Sequence, residues 1–418
     1  MTTQDVRAVL PNRRLVPFLI GTALGNAGDI FTQVAVFWTG FSLTGTAISI
    51  AGLGGAWTLC AALSGLVSGS IVDRFNRRNL LVCLHIALAV LCLVVFAVAT
   101  QGTLKLWHLW LFLVGEAVLG TPVSAAFTAL LPDVVAPDRL VRVNGLLSSW
   151  GMSDNLIEAA VSGIILALWG PAPIFLFNGV MYLVGAAAAL FVPRDAGLPH
   201  REEERPLWRP VKDLRCCLRY INRVQLLRRV VALNFLSDLV FAPLFFLAPV
   251  VSAAIGMGSE GYGFFQSLSL GGVLAGSLLA SSIGTKWPKV PMWIGGTVLF
   301  SLAFLALGIH LTVPTALAVF FAFGLGVSGG KVYGRSLIQQ VLPSKIRGRV
   351  NGIQSFLGGV LQPVTLAVVM ASIDAWSVDL VLIWLGSIML AISVCYFLFL
   401  PVRERDWTLP EPQEEYRA

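Results

Sequence analysis

The stretch that decides the fold runs from Gly69 to Thr100 and reads GSIVDRFNRRNLLVCLHIALAVLCLVVFAVAT. A short charged turn carrying Asp73, Arg74, Arg77 and Arg78 opens onto an apolar run over 79 to 100 whose only basic group is His85. A membrane span needs about 20 mostly apolar residues, and this run is long enough. Lipid offers the backbone no hydrogen-bond partners, so only helices or closed barrels cross it. The run lacks the two-residue alternation of a barrel strand and reads as a helix.

The same reading extends in both directions. Twelve spans are expected, over 15 to 41, 46 to 72, 79 to 100, 105 to 131, 142 to 169, 172 to 193, 228 to 256, 260 to 284, 288 to 309, 312 to 341, 347 to 372 and 377 to 400. Composition agrees: of 418 residues 56% are hydrophobic and 12% charged, with mean hydropathy +0.81, against about 25% charged in soluble domains. The fold class expected is an all-α membrane protein with twelve transmembrane helices.

Of the 29 Lys and Arg residues, only Lys105, Lys331 and Arg335 lie outside the two tails, the loops after even-numbered spans and the first residues of the spans those loops open. This asymmetry places both termini in the cytoplasm by the positive-inside rule. The net charge of +7 therefore expresses topology and attraction to lipid headgroups, and nucleic acid is not expected as a partner. Arg7, Arg13 and Arg14 precede a run too long for a secretory signal, which reads as an uncleaved first span. The six cysteines form no disulfide framework or metal-binding spacing. No metal or cofactor is expected.

A polar stretch divides the chain. The organisation expected is a six-helix bundle over 1–193, a cytoplasmic linker with an amphipathic helix over 194–227, a second six-helix bundle over 228–400 and a cytoplasmic tail over 401–418. In the linker Val211, Leu214, Leu218, Ile221 and Val224 recur at helical spacing among basic residues, as in a helix lying on a membrane surface or a plain connector. The halves repeat: Arg142-Val143-Asn144-Gly145 opens the fifth span and Arg349-Val350-Asn351-Gly352 the eleventh. Six-plus-six parallel repeats are a transporter architecture, so the two bundles are expected to be pseudo-symmetric.

The turn Gly69 to Arg78 resembles the G-x-x-x-D-R-x-G-R-R/K signature of the major facilitator superfamily, in the loop where that family carries it. Asn76 replaces the second glycine; Asn tolerates a left-handed backbone, so the turn is expected to survive. The motif reads as a conformational latch made of Gly69, Asp73, Arg74, Arg77 and Arg78. Gly69 would allow close helix packing, and Asp73 would pair in one conformation only. Gly28-Asp29, Leu131-Pro132, the 213 to 220 connector and Gln340-Val341-Leu342-Pro343 with Arg347-Gly348-Arg349-Val350 are similar to the bacterial macrolide-efflux and siderophore-exporter-like branch. That resemblance implies proton-driven export across a bacterial inner membrane by a chain working as a monomer. One departure stands out: superfamily antiporters often carry Gly-Pro in the fifth span, where this chain has Asp154 and Glu158.

Charged groups lie within the spans: Asp29, Glu116, Asp154, Glu158, Asp238, Lys331 and Arg335. Asp, Lys or Arg at a lipid-facing helix centre costs about 2.5–3.5 kcal/mol or more, so all are expected to face the interior. Asp154 and Glu158, four apart, share a helix face. Carboxyls crowded in a partly dry compartment can exchange protons near neutral pH. Asp29, Glu116, Asp154 and Glu158 are the candidates for proton coupling. Substrate binding falls to Asp29, Gln33, Asp154, Glu158, Asp238, Lys331 and Arg335. Structural pairing is the alternative for Glu158, and for Asp238 with Lys331 or Arg335.

The leading functional reading is therefore secondary active, proton-coupled export of small organic molecules such as drugs, siderophores or metabolites by rocking alternating access. The alternative is a ferroportin-like divalent metal exporter using the mid-membrane carboxylates. With no nucleophile and base pair, no phosphate loop and no soluble catalytic domain, an enzyme is not expected.

Overall fold

The computed structural model describes residues 15–25, 28–135, 139–193, 245–283, 289–341 and 344–399, with isolated positions between 228 and 243. These form α1 (Leu15–Gly25), α2 (Asp29–Thr44), α3 (Ile48–Arg74), α4 (Arg77–Thr100), α5 (Leu106–Val134), α6 (Leu140–Trp169), α7 (Ala172–Ala189), α8 (Ala248–Ala254), α9 (Gly258–Ile283), α10 (Lys289–Ile309), α11 (Val313–Val341), α12 (Ser344–Ala375) and α13 (Val378–Phe399). Every expected span carries helix among its described residues; part of the seventh, the linker 194–227 and the tail 401–418 lie outside the described residues. Eight described helices are long and apolar enough to cross a membrane. Leu111, Leu168 and Phe397 are among many large apolar side chains left exposed, as a lipid-facing surface requires.

Contacts divide the chain into two compact units, Met1–Glu203 with Met257–Ser267, and Glu204–Gly256 with Leu268–Ala418. Within the first unit α4 packs on α7 and α5, and α3 on α5. The second repeats the pattern with α10 against α13 and α11. In a bilayer no hydrophobic gain distinguishes a neighbouring helix from lipid, so close packing of small residues brings helices together. Gly272 of α9 and Gly324 of α11 illustrate this, because a Cβ on either would collide with backbone of the other helix. In the first unit a Cβ on Gly163 would lie 2.6 Å from the Ser259 carbonyl and 2.9 Å from Gly263 Cα. Polar side chains add bridges, such as Ser393 Oγ donating to Thr297 Oγ1 at 3.0 Å.

Pro122 lies inside α5 and has no N–H to offer the Val118 carbonyl one turn back. Ser64 of α3 supplies the missing donor, its hydroxyl lying 3.0 Å from that oxygen.

The first span departs most from expectation. Instead of one helix over 15 to 41, the chain breaks between α1 and α2, with Gly28 at φ 114. Only glycine holds that conformation at no steric cost. A second constraint coincides with it: a Cβ on Gly28 would lie 2.7 Å from Asn178 Oδ1 of α7.

A second departure concerns Asn76. It holds no left-handed turn; at φ −61 and ψ 117 it is the N-cap of α4, its Oδ1 accepting the Asn79 N–H at 3.1 Å. Asparagine is a strong N-cap because its short side chain reaches the unpaired N–H groups of the first turn, and capping replaces the turn that the family's glycine implied.

Candidate functional site at the break in the first span

A broken helix exposes backbone donors that lipid cannot satisfy. At the start of α2 these belong to Gly28 and Ile30, and one side chain takes both. Glu158 of α6 accepts the Gly28 N–H at Oε1, 2.8 Å away, and the Ile30 N–H at Oε2, 3.2 Å away. Its side chain is 2% exposed. The placement is favourable because a helix N-terminus carries a partial positive charge. One turn further along α6, Ser162 donates to the Phe31 carbonyl at 3.0 Å, so a single face of α6 holds the opening turn of α2.

The opposite side is held by α7. Asn178 Nδ2 donates to Thr32 Oγ1 at 3.1 Å, and the Thr32 hydroxyl turns back to the Gly28 carbonyl at 3.0 Å. Tyr182, one turn on, donates its hydroxyl to Asp29 Oδ1 at 2.7 Å. Asn178, Tyr182 and Gly185 share a stripe because they are spaced four and three apart on a helix. Asp29 thus sits at the first residue of α2, half-buried, with its carboxylate held by a buried tyrosine.

Glu116 of α5 accepts a hydrogen bond from the Trp57 indole N–H of α3. Asp29 and Glu116 feel one another's charge, and Cys92 and Tyr182 feel both. The structure therefore brings Asp29, Glu116 and Tyr182 into one compartment of the first unit.

The other expected site residues fall as follows. Gln33 lies one turn beyond Asp29 on α2 and is half-buried. Asp154 is in α6 one turn before Glu158, and Lys331 and Arg335 are in α11, with the side chains of all three outside the described residues. Asp238 is itself outside them. In the last turns of α3, Gly69, Asp73 and Arg74 are exposed, and among the described residues nothing lies within packing distance of Gly69. Arg77 and Arg78 face inward. Arg77 pairs with Asp133 of α5 at 2.6 Å and donates to the Ala129 carbonyl at 3.2 Å, while Arg78 donates to the Leu190 carbonyl at 3.0 Å. Both fasten the start of α4 inside the first unit.

Tyr182, Asn178, Ser162 and Trp57 were not singled out as polar site residues by sequence reasoning. The available signal was Asn178, Tyr182 and Gly185 at one helical face of an otherwise apolar span. Their partners are 146 and 153 positions away for Asn178 and Tyr182, a separation that no local pattern reports.

The model of the Major Facilitator Superfamily matches residues 17–231 and 230–418. The chain is 20% identical to Macrolide efflux protein A of Streptococcus pyogenes over 400 residues, covering 92% of this chain and 96% of the relative. It is 22% identical to the uncharacterized MFS-type transporter YvqJ of Bacillus subtilis (strain 168) over 347 residues, 81% and 80% of the two chains. Among solved structures, the nucleoside transporter NupG superposes with TM-score 0.69 at 11% identity, over 93% of this chain and 99% of that one. A D-xylose-proton symporter superposes with TM-score 0.66 at 16% identity, over 95% and 99%.

Proposed function

The chain belongs to the Major Facilitator Superfamily, and on that premise we propose that it is a proton-coupled exporter of small organic molecules in a bacterial inner membrane. The family makes it a multi-pass transporter and not an enzyme. Substrate class, direction, coupling, cytoplasmic termini and action as a monomer belong to the proposal. The charge asymmetry of the loops supports the orientation, and the macrolide efflux relative supports export.

One observation carries the reading. Asp29 stands at a helix break, bound to Tyr182, within reach of the charge on Glu116. Two acids that sense each other in one site titrate as a coupled pair, gaining and losing their protons in separate steps, and a bound cation competes with those protons. Asp29 and Glu116 are the primary proton carriers in this scheme, and Asp154 and Glu158 secondary ones. Gln33, Asp238, Lys331 and Arg335 complete the substrate contacts, and Gly69, Asp73, Arg74, Arg77 and Arg78 the latch. Alternating access then couples the two fluxes through different affinities in the two states. The metal-exporter alternative is weaker, because Glu158, one of its oxygen donors, already accepts two backbone N–H bonds.

The test is transport in proteoliposomes with the purified protein, an imposed pH gradient, and ethidium or erythromycin as the transported probe. Protons moving down the gradient should drive the probe the opposite way. Asp29→Asn should abolish this uphill movement while probe binding persists. Uphill transport that Asp29→Asn leaves intact would remove Asp29 from the mechanism, and failure of either probe to respond to the gradient would remove proton-driven export of these classes.

A further inference from the structure

We propose that His85 is a second proton-binding site, exchanging protons with Asp29 through the Tyr182 hydroxyl and opening a route toward the Arg77 end of α4. The inference rests on the proton-coupled reading for its purpose, but not for its geometry.

His85 lies in α4 and is 1% exposed. Its Nδ1 is 2.8 Å from the Leu81 carbonyl. A carbonyl only accepts, so Nδ1 carries the hydrogen and Nε2 of the neutral ring presents a lone pair. Among the described residues Nε2 has no hydrogen-bond partner, although buried polar atoms are rarely left so. A ring needed only as filler would more cheaply be phenylalanine.

That lone pair points at the crossing of α1 and α7. A Cβ on Gly185 would lie 2.9 Å from Nε2 and one on Gly25 3.5 Å, so the two glycines make the room that the imidazole fills. Gly185 is three residues beyond Tyr182 on α7, and Gly25 four before Asp29. The Tyr182 and His85 rings meet edge-on with centroids 6.2 Å apart, and the Tyr182 hydroxyl already holds Asp29. His85 is eight residues from the start of α4, about 12 Å along a helix, and so lies between the Asp29 level and the Arg77–Asp133 pair. Ionisable groups on the surrounding elements are Tyr182 on α7, Glu116 and Asp133 on α5, Asp29 at the break, and Cys83, Cys92, Arg77 and Arg78 on α4 itself. Arg77 is held by Asp133, whereas Asp29 accepts from the hydroxyl of Tyr182, whose ring meets that of His85.

The transfer balances. Protonated Asp29 gives its carboxyl proton to Tyr182 Oη while the tyrosine passes its own to Nε2 through one bridging water. Asp29 becomes a carboxylate, Tyr182 stays neutral, and His85 becomes an imidazolium that still donates from Nδ1 to Leu81.

The test is a pH jump on the purified full-length protein in lipid nanodiscs, followed by time-resolved infrared absorption at the carboxyl band that Asp29→Asn removes. His85→Gln, which keeps an accepting atom but binds no proton, and Tyr182→Phe, which keeps the ring, should each slow protonation of Asp29 by about tenfold or more. Unchanged rates in both variants, or slowing in only one, would overturn the relay. His85→Asn serves the same purpose where His85→Gln does not fold. The measurement uses no transport gradient. A chain that shows the relay yet fails to move ethidium or erythromycin against a pH gradient would keep this inference and lose the exporter reading; the converse result would do the reverse.

Discussion

Glu158 and Gly28 are joined across 130 residues of sequence by a 2.8 Å hydrogen bond in which the Gly28 N–H donates to Oε1. The same carboxylate takes the Ile30 N–H, so one buried side chain stabilises the break in the first span.

Glu158→Ala should be strongly destabilising, because it leaves two buried N–H groups without acceptors. Each unsatisfied group costs about 1–3 kcal/mol, and the loss should appear as a lower melting temperature in detergent micelles. Glu158→Gln keeps one acceptor and should lose about half as much. Equal stability of Glu158→Ala and wild type would show that the contact contributes nothing.

Gly28→Ala should destabilise for two separable reasons. The positive φ costs about 1–3 kcal/mol in a residue with a side chain, and the new Cβ meets Asn178 Oδ1. Asn178→Ala in the same chain should recover the steric part only. Full recovery would mean that backbone conformation is not what selects glycine here.

Ser64 and Pro122 should be coupled. Ser64→Ala removes the donor to the Val118 carbonyl and should cost about 1 kcal/mol. In a Pro122→Ala background the helix regains its own N–H for that carbonyl, so the same substitution should then cost close to nothing. A double-mutant cycle that closes without interaction would reject the assignment.

Arg77 and Asp133 should couple as well. Their side chains are 9% and 26% exposed, so partial solvent screening puts the expected loss from Arg77→Met at about 1–3 kcal/mol, below the full cost of breaking a buried pair. Asp133→Asn should cost less in that background than alone. Independent effects would place both residues at the membrane surface as topology markers only.

The membrane class, the spans and the cationic loops were legible because the bilayer imposes them locally: any run of about 20 apolar residues must satisfy its own backbone. The acids of the first half were legible for the same reason, since a charge in such a run is conspicuous. The break before Asp29 was not, because glycines are common in membrane helices and Gly25 and Gly28 carry no mark that separates a packing glycine from a left-handed one. Asn76 was misjudged as a turn residue because caps and turns draw on the same side chains. His85 looked unremarkable in its helix; its unpaired nitrogen is a property of Gly25, Gly185 and Tyr182 around it.

The amino-acid sequence by itself determined that this chain crosses a bilayer repeatedly as helices and buries acids within them, because hydropathy and desolvation act on each segment alone. Only the tertiary structure decided that Glu158 closes a helix break, that Tyr182 holds Asp29, and that a histidine waits beside them. Hydrogen bonds between groups more than a hundred residues apart depend on the packing of whole helices, and no single segment encodes them.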